Sequence, residues 1–208
     1  MKIVIGLTGE KLAGKETFVR CLTQILSESQ QYLPLPNRKI LASIRSSDVL
    51  IEILKSLRME ATRKNMQKLA VVLDKGFGKG TLTRSVQRRI QDMEADIVIF
   101  DGVRWQTDAL MIREFQRNIL VYITADIKTR HQRVQKRKEK IGEDKISFED
   151  FKKEEQAETE IYIPEIGRFA NFTVVNNGDE ANLKSQVQRF FNKYIVPDIV
   201  NRCLKPGK

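Results

Sequence analysis

Apolar residues along this chain follow two rhythms. Lys2–Leu7, Asp96–Asp101, Asn118–Ile123 and Asn171–Val175 are short, nearly continuous runs rich in β-branched and aromatic residues, and Arg38–Ile44 is a fifth, weaker one. Runs that are apolar at every position predict strands buried on both faces, as in a parallel sheet covered on two sides. The segments between them repeat at helical spacing. Phe18, Val19, Leu22, Ile25 and Leu26 share a face of a helix over about 14–29. Ser46-Ser47-Asp48 reads as an N-cap ahead of Val49, Leu50, Ile53 and Leu54, and Met66, Leu69, Ala70 and Leu73 mark a helix over 62–74. Further helices are predicted over 81–93, 109–115, 126–140 and 181–194. Ser147-x-x-Asp150 is close to a capping box and opens another, through Phe151 and Ala157, which Tyr162-Ile163-Pro164 ends. Strands alternating with helices predict one α/β domain: a three-layer fold with a five-stranded parallel sheet and helices on both faces.

The first strand runs straight into Thr8-Gly9-Glu10-Lys11-Leu12-Ala13-Gly14-Lys15-Glu16-Thr17. Gly9-x4-Gly14-Lys15 has the spacing of a phosphate-binding loop, in the strand–loop–helix context that the motif requires. Glycines let the backbone curl around a phosphate and turn its N–H groups inward, and the following helix aims its positive end at the same anion. Lys15 adds a full charge. Loop residues Gly9 to Thr17 are therefore the predicted nucleotide-binding segment. The position after the lysine, usually a hydroxyl that binds Mg²⁺, is Glu16, and the hydroxyl follows at Thr17. Either is a candidate for the metal.

Composition narrows the chemistry. The 208 residues suit one domain, and 41% hydrophobic with 31% charged residues describes a packed, water-compatible chain. No apolar run approaches the ~20 residues of a membrane span, and no secretory leader is visible, so the expected location is cytoplasmic. Cys21 and Cys203 offer neither a disulfide framework nor metal spacing. A net charge of +10 points first to a substrate rich in phosphate and second to nucleic acid.

Phosphoryl transfer needs phosphate clamps, a metal and positive charge along the path of the transferred group. Asp101 stands where a buried strand ends, at the sheet edge where α/β ligands bind, and is a further metal candidate. Arg104, three residues on, can take a substrate phosphate in bidentate fashion. Arg130, Arg133 and Arg137 share a helix face ahead of Gly142, as in a phosphate clamp on a mobile lid. His131, the one histidine, reads as a helix-surface residue.

Together these stretches resemble the P-loop nucleoside monophosphate kinases, in the branch related to dephospho-CoA kinases and archaeal-type CMP/AMP kinases. The phosphate loop is similar to a Gly-Lys-Asp-Thr form in some deoxynucleotide kinases. Ser47-Asp48-Val49-Leu50 resembles the start of the acceptor helix. Asp101-Gly102-Val103-Arg104 resembles a segment that holds metal-bound water and the acceptor's phosphate. Arg133-Val134-Gln135-Lys136-Arg137 is similar to the start of a lid whose first arginine packs on adenine and whose second meets phosphate. Residues 170–178 are similar to an element that precedes the last helix in dephospho-CoA kinases.

The resemblance implies ATP and Mg²⁺ as cofactors and a small phosphate-bearing acceptor. A nucleoside or deoxynucleoside monophosphate is the leading acceptor, dephospho-CoA the alternative, and a non-catalytic or nucleic-acid-associated NTPase a third reading. It also implies an acceptor-binding helical region over about 45–93 and a lid over about 133–160. Implied catalytic residues are Lys15, Asp101, Arg104 and Arg137. Implied acceptor contacts are Ser47, Asp48, Arg104 and Arg137. Two departures stand out: Ile51 takes a place that carries arginine in many relatives, and the acidic stretch Phe148–Glu160 lacks arginines, leaving Lys152, Lys153 or Arg130 as substitutes.

Overall fold

Five strands form one wholly parallel sheet in the order β2-β3-β1-β4-β5. They are β1 (Ile3–Thr8), β2 (Leu41–Ile44), β3 (Ile97–Asp101), β4 (Asn118–Thr124) and β5 (Phe172–Val175). This computed structural model describes residues 2–29, 40–137, 146–156 and 160–204, the side chains of 63, 137 and 201–204 excepted. The Pro-bearing connection at 32–37, the expected strand start at Arg38-Lys39, the loop at 141–145, and the expected helical residues 138–140 and 157 lie outside it. Every residue of β1 and β3 is buried, as their unbroken apolar runs require. β1 is flanked by β3 and β4, with Leu7 opposite Asp101 and Thr8 opposite Tyr122. The loop after β1 and the acid that closes β3 therefore leave the same carboxyl edge side by side, where open α/β sheets bind ligands.

Parallel neighbours need long crossovers, and helices supply them. On one face, α1 (Lys15–Ser29), α9 (Glu180–Phe190), a π-helical turn (Phe191–Ile195) and α10 (Val196–Leu204) cover β1, β4 and β5. Phe18 and Phe190 meet edge-on there at 5.4 Å, and Phe172 reaches Phe190 at 5.5 Å. Continuous helix was expected to Tyr194. It widens at 191–195 because Pro197 has no N–H for residue 193 and its ring would collide with that carbonyl. The other face is covered by α2 (Ser46–Ser56), α4 (Thr81–Asp92), α5 (Gln106–Arg113) and α8 (Ile163–Arg168). Val49, Val86, Ile90, Met111, Ile112 and Ile166 pack there beneath Val4, Val98 and Phe100. α3 (Arg63–Phe77) lies against α2 and α4, and α7 (Phe148–Glu154) against α6 (Ile127–Arg137).

Several boundaries differ from expectation, among them those of α5, which runs Gln106–Arg113 instead of 109–115. α2 begins at Ser46, not after Asp48: Arg45 is its N-cap, and its N–H donates to Asp48 Oδ2 at 2.7 Å. α3 continues through Gly76 and Phe77, with the break at Gly78–Gly80. Ile163-Pro164 opens α8 instead of ending a long helix, since proline is well placed in a first turn where its missing N–H has no partner to lose. Ser147 caps α7 as expected, accepting from the Asp150 N–H at 3.0 Å.

Candidate functional site

The loop 9–14 is shaped by two glycines that admit no side chain. A Cβ on Gly9 would lie 2.2 Å from the Ile123 carbonyl oxygen. One on Gly14, whose φ is +107°, would lie 2.3 Å from Asn176 Nδ2. Leu12 holds a left-handed φ of 62°, a conformation costing roughly 1 kcal/mol for a residue with a side chain. Long-range bonds hold the loop in this shape. Asn176 Nδ2 donates to the Ala13 carbonyl at 2.8 Å, and Arg133 donates to the carbonyls of Leu12 at 3.2 Å and Asn176 at 2.7 Å. α1 then starts at Lys15, so its positive end faces the loop.

Lys15 turns back into this loop, donating to the carbonyls of Gly9 at 2.6 Å and Glu10 at 3.0 Å. Burial of its ammonium, seconded by the nearby Arg104 charge, pulls its pKa from 10.5 down to about 8, against the opposing pull of Asp101, Glu160 and Glu10.

One cavity of about 730 Å³ opens beside the loop. Lys11, Leu12, Gly14, Lys15, Glu16 and Thr17 form one side, and Asp101, Gly102, Arg104 and Trp105 another. Ser46 and Ser47 at the start of α2 line it, as do Arg133 and Lys136 of α6 and the turn carrying Asn176 and Gly178. The expected residues of the loop, Ser47, Asp101, Arg104 and Arg133 thus converge, though they span more than a hundred positions. Gly9, Glu10 and Ala13 supply backbone behind the cavity. The Glu10 carboxylate turns away from it and accepts from the Tyr122 hydroxyl, which, after burial, helps push that phenol's pKa to about 12. Asp48 is not in the cavity wall; it caps α2 by holding Arg45. The side chain of Arg137 falls outside the described residues.

Asp101 is nearly buried, with 9% of its side chain exposed, and accepts from Arg45 Nε at 3.0 Å. Arg45 Nη2 also lies 3.7 Å from Glu16 Oε1. Arg104 is ion-paired with Glu160. Its backbone is fixed from behind by Asp108, whose Oδ2 accepts from the N–H groups of Arg104 at 3.1 Å and Trp105 at 3.2 Å and whose Oδ1 accepts from Thr83 at 2.8 Å. Burial raises the Asp108 pKa, and these hydrogen bonds oppose the rise.

The arginine face of α6 does not act as one clamp. Arg130 is buried: its Nε donates to Ala125 O at 2.8 Å, and its guanidinium pairs with Glu155. It ties α6 to Glu155, just past the end of α7, instead of standing free for a phosphate. Of the other two substitutes named by the sequence, Lys152 is exposed and Lys153 pairs on the surface with Asp150 at 3.3 Å. His131 is half-buried against Phe148 and Phe151, with Nε2 2.9 Å from the Ile146 carbonyl, so it docks α7 on α6.

Sequence reading passed over Arg45, Trp105, Asp108 and Asn176. Trp105 carries the most legible signal, an aromatic residue directly after Arg104; Arg45 and Asn176 act through partners tens of residues away, and Asp108 through its near neighbours Arg104 and Trp105 and the distant Thr83.

Sheet order, loop geometry and site position define a P-loop kinase-like fold. Shikimate kinase from Acinetobacter baumannii is similar over 95% of both chains, with a TM-score of 0.52 and 15% identity. Shikimate kinase from Bacteroides thetaiotaomicron is similar over 91% of this chain and 97% of its own, with a TM-score of 0.55 and 15% identity. At that identity the likeness is one of fold. In sequence, a UPF0200 protein of Methanothermobacter thermautotrophicus is 24% identical over 194 residues, covering 92% of this chain and 90% of its own. One from Hyperthermus butylicus is 21% identical over 170 residues, covering 77% and 90%. No family model matches the chain. Among the described residues, no helix is long and apolar enough to cross a membrane.

Proposed function

We propose that this protein transfers the γ-phosphoryl group of ATP to a small phosphate-bearing acceptor, with a nucleoside or deoxynucleoside monophosphate as the leading candidate. One observation carries the reading: a single cavity joins the phosphate loop and Lys15 to Asp101, Arg104, Ser47 and Trp105, with room for donor and acceptor together. The loop amides and Lys15 hold the β- and γ-phosphates. Lys15 exchanges the carbonyls of Gly9 and Glu10 for phosphate oxygens. Arg133, fixed on the carbonyls of Leu12 and Asn176, stands at the side where Asn176 and Gly178 complete a slot for the nucleotide base. Arg104 takes the acceptor phosphate, and Trp105 offers a flat face to an aromatic base, braced by Tyr162 at 5.9 Å. Catalysis is then positioning and electrostatics, with the acceptor oxygen in line with the leaving ADP.

The residues also fit Mg²⁺. No cluster of three or more metal-type ligands occurs among the described residues, but Mg²⁺ at phosphates takes only one or two carboxylates. Asp101 and Glu16 both approach one cation here, the Arg45 guanidinium. Thr17 lines the same cavity and remains an alternative ligand. The metal, when bound, neutralises charge between the β- and γ-phosphates.

A coupled assay with AMP, CMP, dCMP, UMP, GMP and dephospho-CoA tests the proposal, with Lys15→Ala as the control. Loss of about two to three orders of magnitude in kcat/KM in a folded Lys15→Ala protein is expected. Full turnover in that variant refutes the assignment. A second reading, nucleotide binding without transfer, is favoured by the pairing of Arg104 with Glu160 and of Arg130 with Glu155. ATP binding with no turnover on any acceptor would establish it.

A further inference from the structure

Asp101 and Glu16 come from different elements, the end of β3 and the first turn of α1, yet both face one side chain, Arg45. A nearly buried carboxylate such as Asp101 requires a cationic or hydrogen-bonding partner. Its ion-pair partner among the described residues is this guanidinium. The backbone of Arg45 is pinned from both sides: its N–H donates to Asp48 Oδ2 at 2.7 Å, and its carbonyl accepts from the Asp48 N–H at 3.1 Å. The side chain is not pinned in the same way, since 50% of it is exposed. Arg45 can therefore swing from a fixed root.

Resting on the kinase reading, we propose that Arg45 holds the place of the catalytic divalent cation until a metal–nucleotide complex displaces it, and that the released guanidinium then takes the acceptor's phosphate. Arg45 holds Oδ2 of Asp101, and Mg²⁺, which ligates carboxylate oxygens at about 2.0–2.1 Å, would exclude the guanidinium from that oxygen on taking it. Two charges on a compact ion outcompete one delocalised charge once a nucleotide adds its own phosphate ligands. The freed guanidinium stays rooted beside Ser46 and Ser47, at the amino end of α2, with Arg104 across the cavity. α2 itself contains no arginine, so Arg45 is the guanidinium that this helix brings to the acceptor side. Two guanidinium groups, Arg45 and Arg104, then bind the acceptor phosphate from two directions. The geometry imposes an order: metal–nucleotide first, acceptor second.

The test uses Mn²⁺ with ADP as the probe, free Mn²⁺ being read by electron paramagnetic resonance, on the wild type, Arg45→Ala and Arg45→Gln. Removing the competing cation should tighten Mn²⁺ in the ADP complex by about tenfold. Weaker or unchanged Mn²⁺ affinity in both folded variants overturns the proposal. A merely structural ion pair would give that result. In the acceptor screen, Arg45→Ala should raise the acceptor KM by about tenfold or more with a smaller change in kcat. An unchanged acceptor KM overturns the second half. A wild-type protein that binds no Mn²⁺–ADP overturns the kinase reading itself.

Discussion

Lys15 ties the candidate chemistry to a measurable stability. Its folded-state pKa is about 8 against an ordinary 10.5, with burial as the first cause. The gap, at 1.36 kcal/mol per pH unit, corresponds to about 3 kcal/mol. The direction follows from proton counting. Between pH 8 and 10.5 the unfolded chain binds more protons at this site than the folded one, so stability from Lys15 rises with pH across that window. Below pH 8 the full cost of holding a charged ammonium in the loop is present. The perturbation is Lys15→Met, which keeps the aliphatic stem and removes the charge. Urea unfolding of both proteins at pH 7 to 10.5 cancels the groups they share. The wild type should gain up to about 3 kcal/mol relative to the variant over that range, less whatever solvent screening removes. A nucleotide reverses the shift, because phosphate oxygens replace carbonyls around the ammonium. At pH 8.5, ADP binding should then take up most of one proton, read by calorimetry in buffers of different ionisation enthalpy. A stability difference that stays flat between pH 7 and 10.5, or binding without proton uptake, refutes the reasoning.

Further expectations follow from the scaffold. Gly14→Ala drives a Cβ against Asn176 Nδ2 and strains a φ of +107°, so it should cost about 2–3 kcal/mol by denaturant titration. Gly102→Ala, with the same φ and nothing within 4 Å, should cost only about 1 kcal/mol, which separates collision from strain. Asp108→Ala removes three hydrogen bonds to a buried carboxylate and should cost about 2–4 kcal/mol. Asp108→Asn can accept from Arg104 and Trp105 while donating to Thr83, and should fall within about 1 kcal/mol of wild type. Because burial raises the Asp108 pKa, the wild type should also lose relative stability to Asp108→Asn as pH rises above the ordinary carboxylate range.

What the sequence revealed was what neighbours in sequence decide. Ile97 to Phe100 form an unbroken β-branched and aromatic run, and only a doubly covered strand accepts such a run. Gly9, Gly14 and Lys15 sit within one loop, and their spacing alone marks it as a cradle, though Asn176 and Arg133 help to hold its shape. Asp101 and Arg104 follow a strand whose exit point is forced by the sheet. Each of these was legible because the geometry is local.

The misread residues share one property: their roles depend on a partner that periodicity cannot name. Arg130 and Arg133 lie on the same face of α6 by spacing, yet one is swallowed and the other is not. The difference is Glu155, just past the end of α7, which meets Arg130, while Arg133 finds one backbone carbonyl on the phosphate loop, Leu12, and one in the turn after β5, Asn176. The acidic stretch Phe148–Glu160 looked like a lid stripped of its arginines. In three dimensions three of its described glutamates pair with cations around the loop: Glu154 with Lys11 at 2.9 Å, Glu155 with Arg130, and Glu160 with Arg104. The same residues that weaken the resemblance therefore hold the segment down on the site. On the proposed activity, a phosphate engaging Arg104 Nη1 would compete with Glu160, as a metal at Asp101 Oδ2 would compete with Arg45. Both steps would exchange a protein group for a ligand whose charge has the same sign, so neither Asp101 nor Arg104 is left without an opposite charge as the site fills. That is how a chain of +10 can keep its cations close together around an anion seat without the repulsion that an unneutralised cluster would bring.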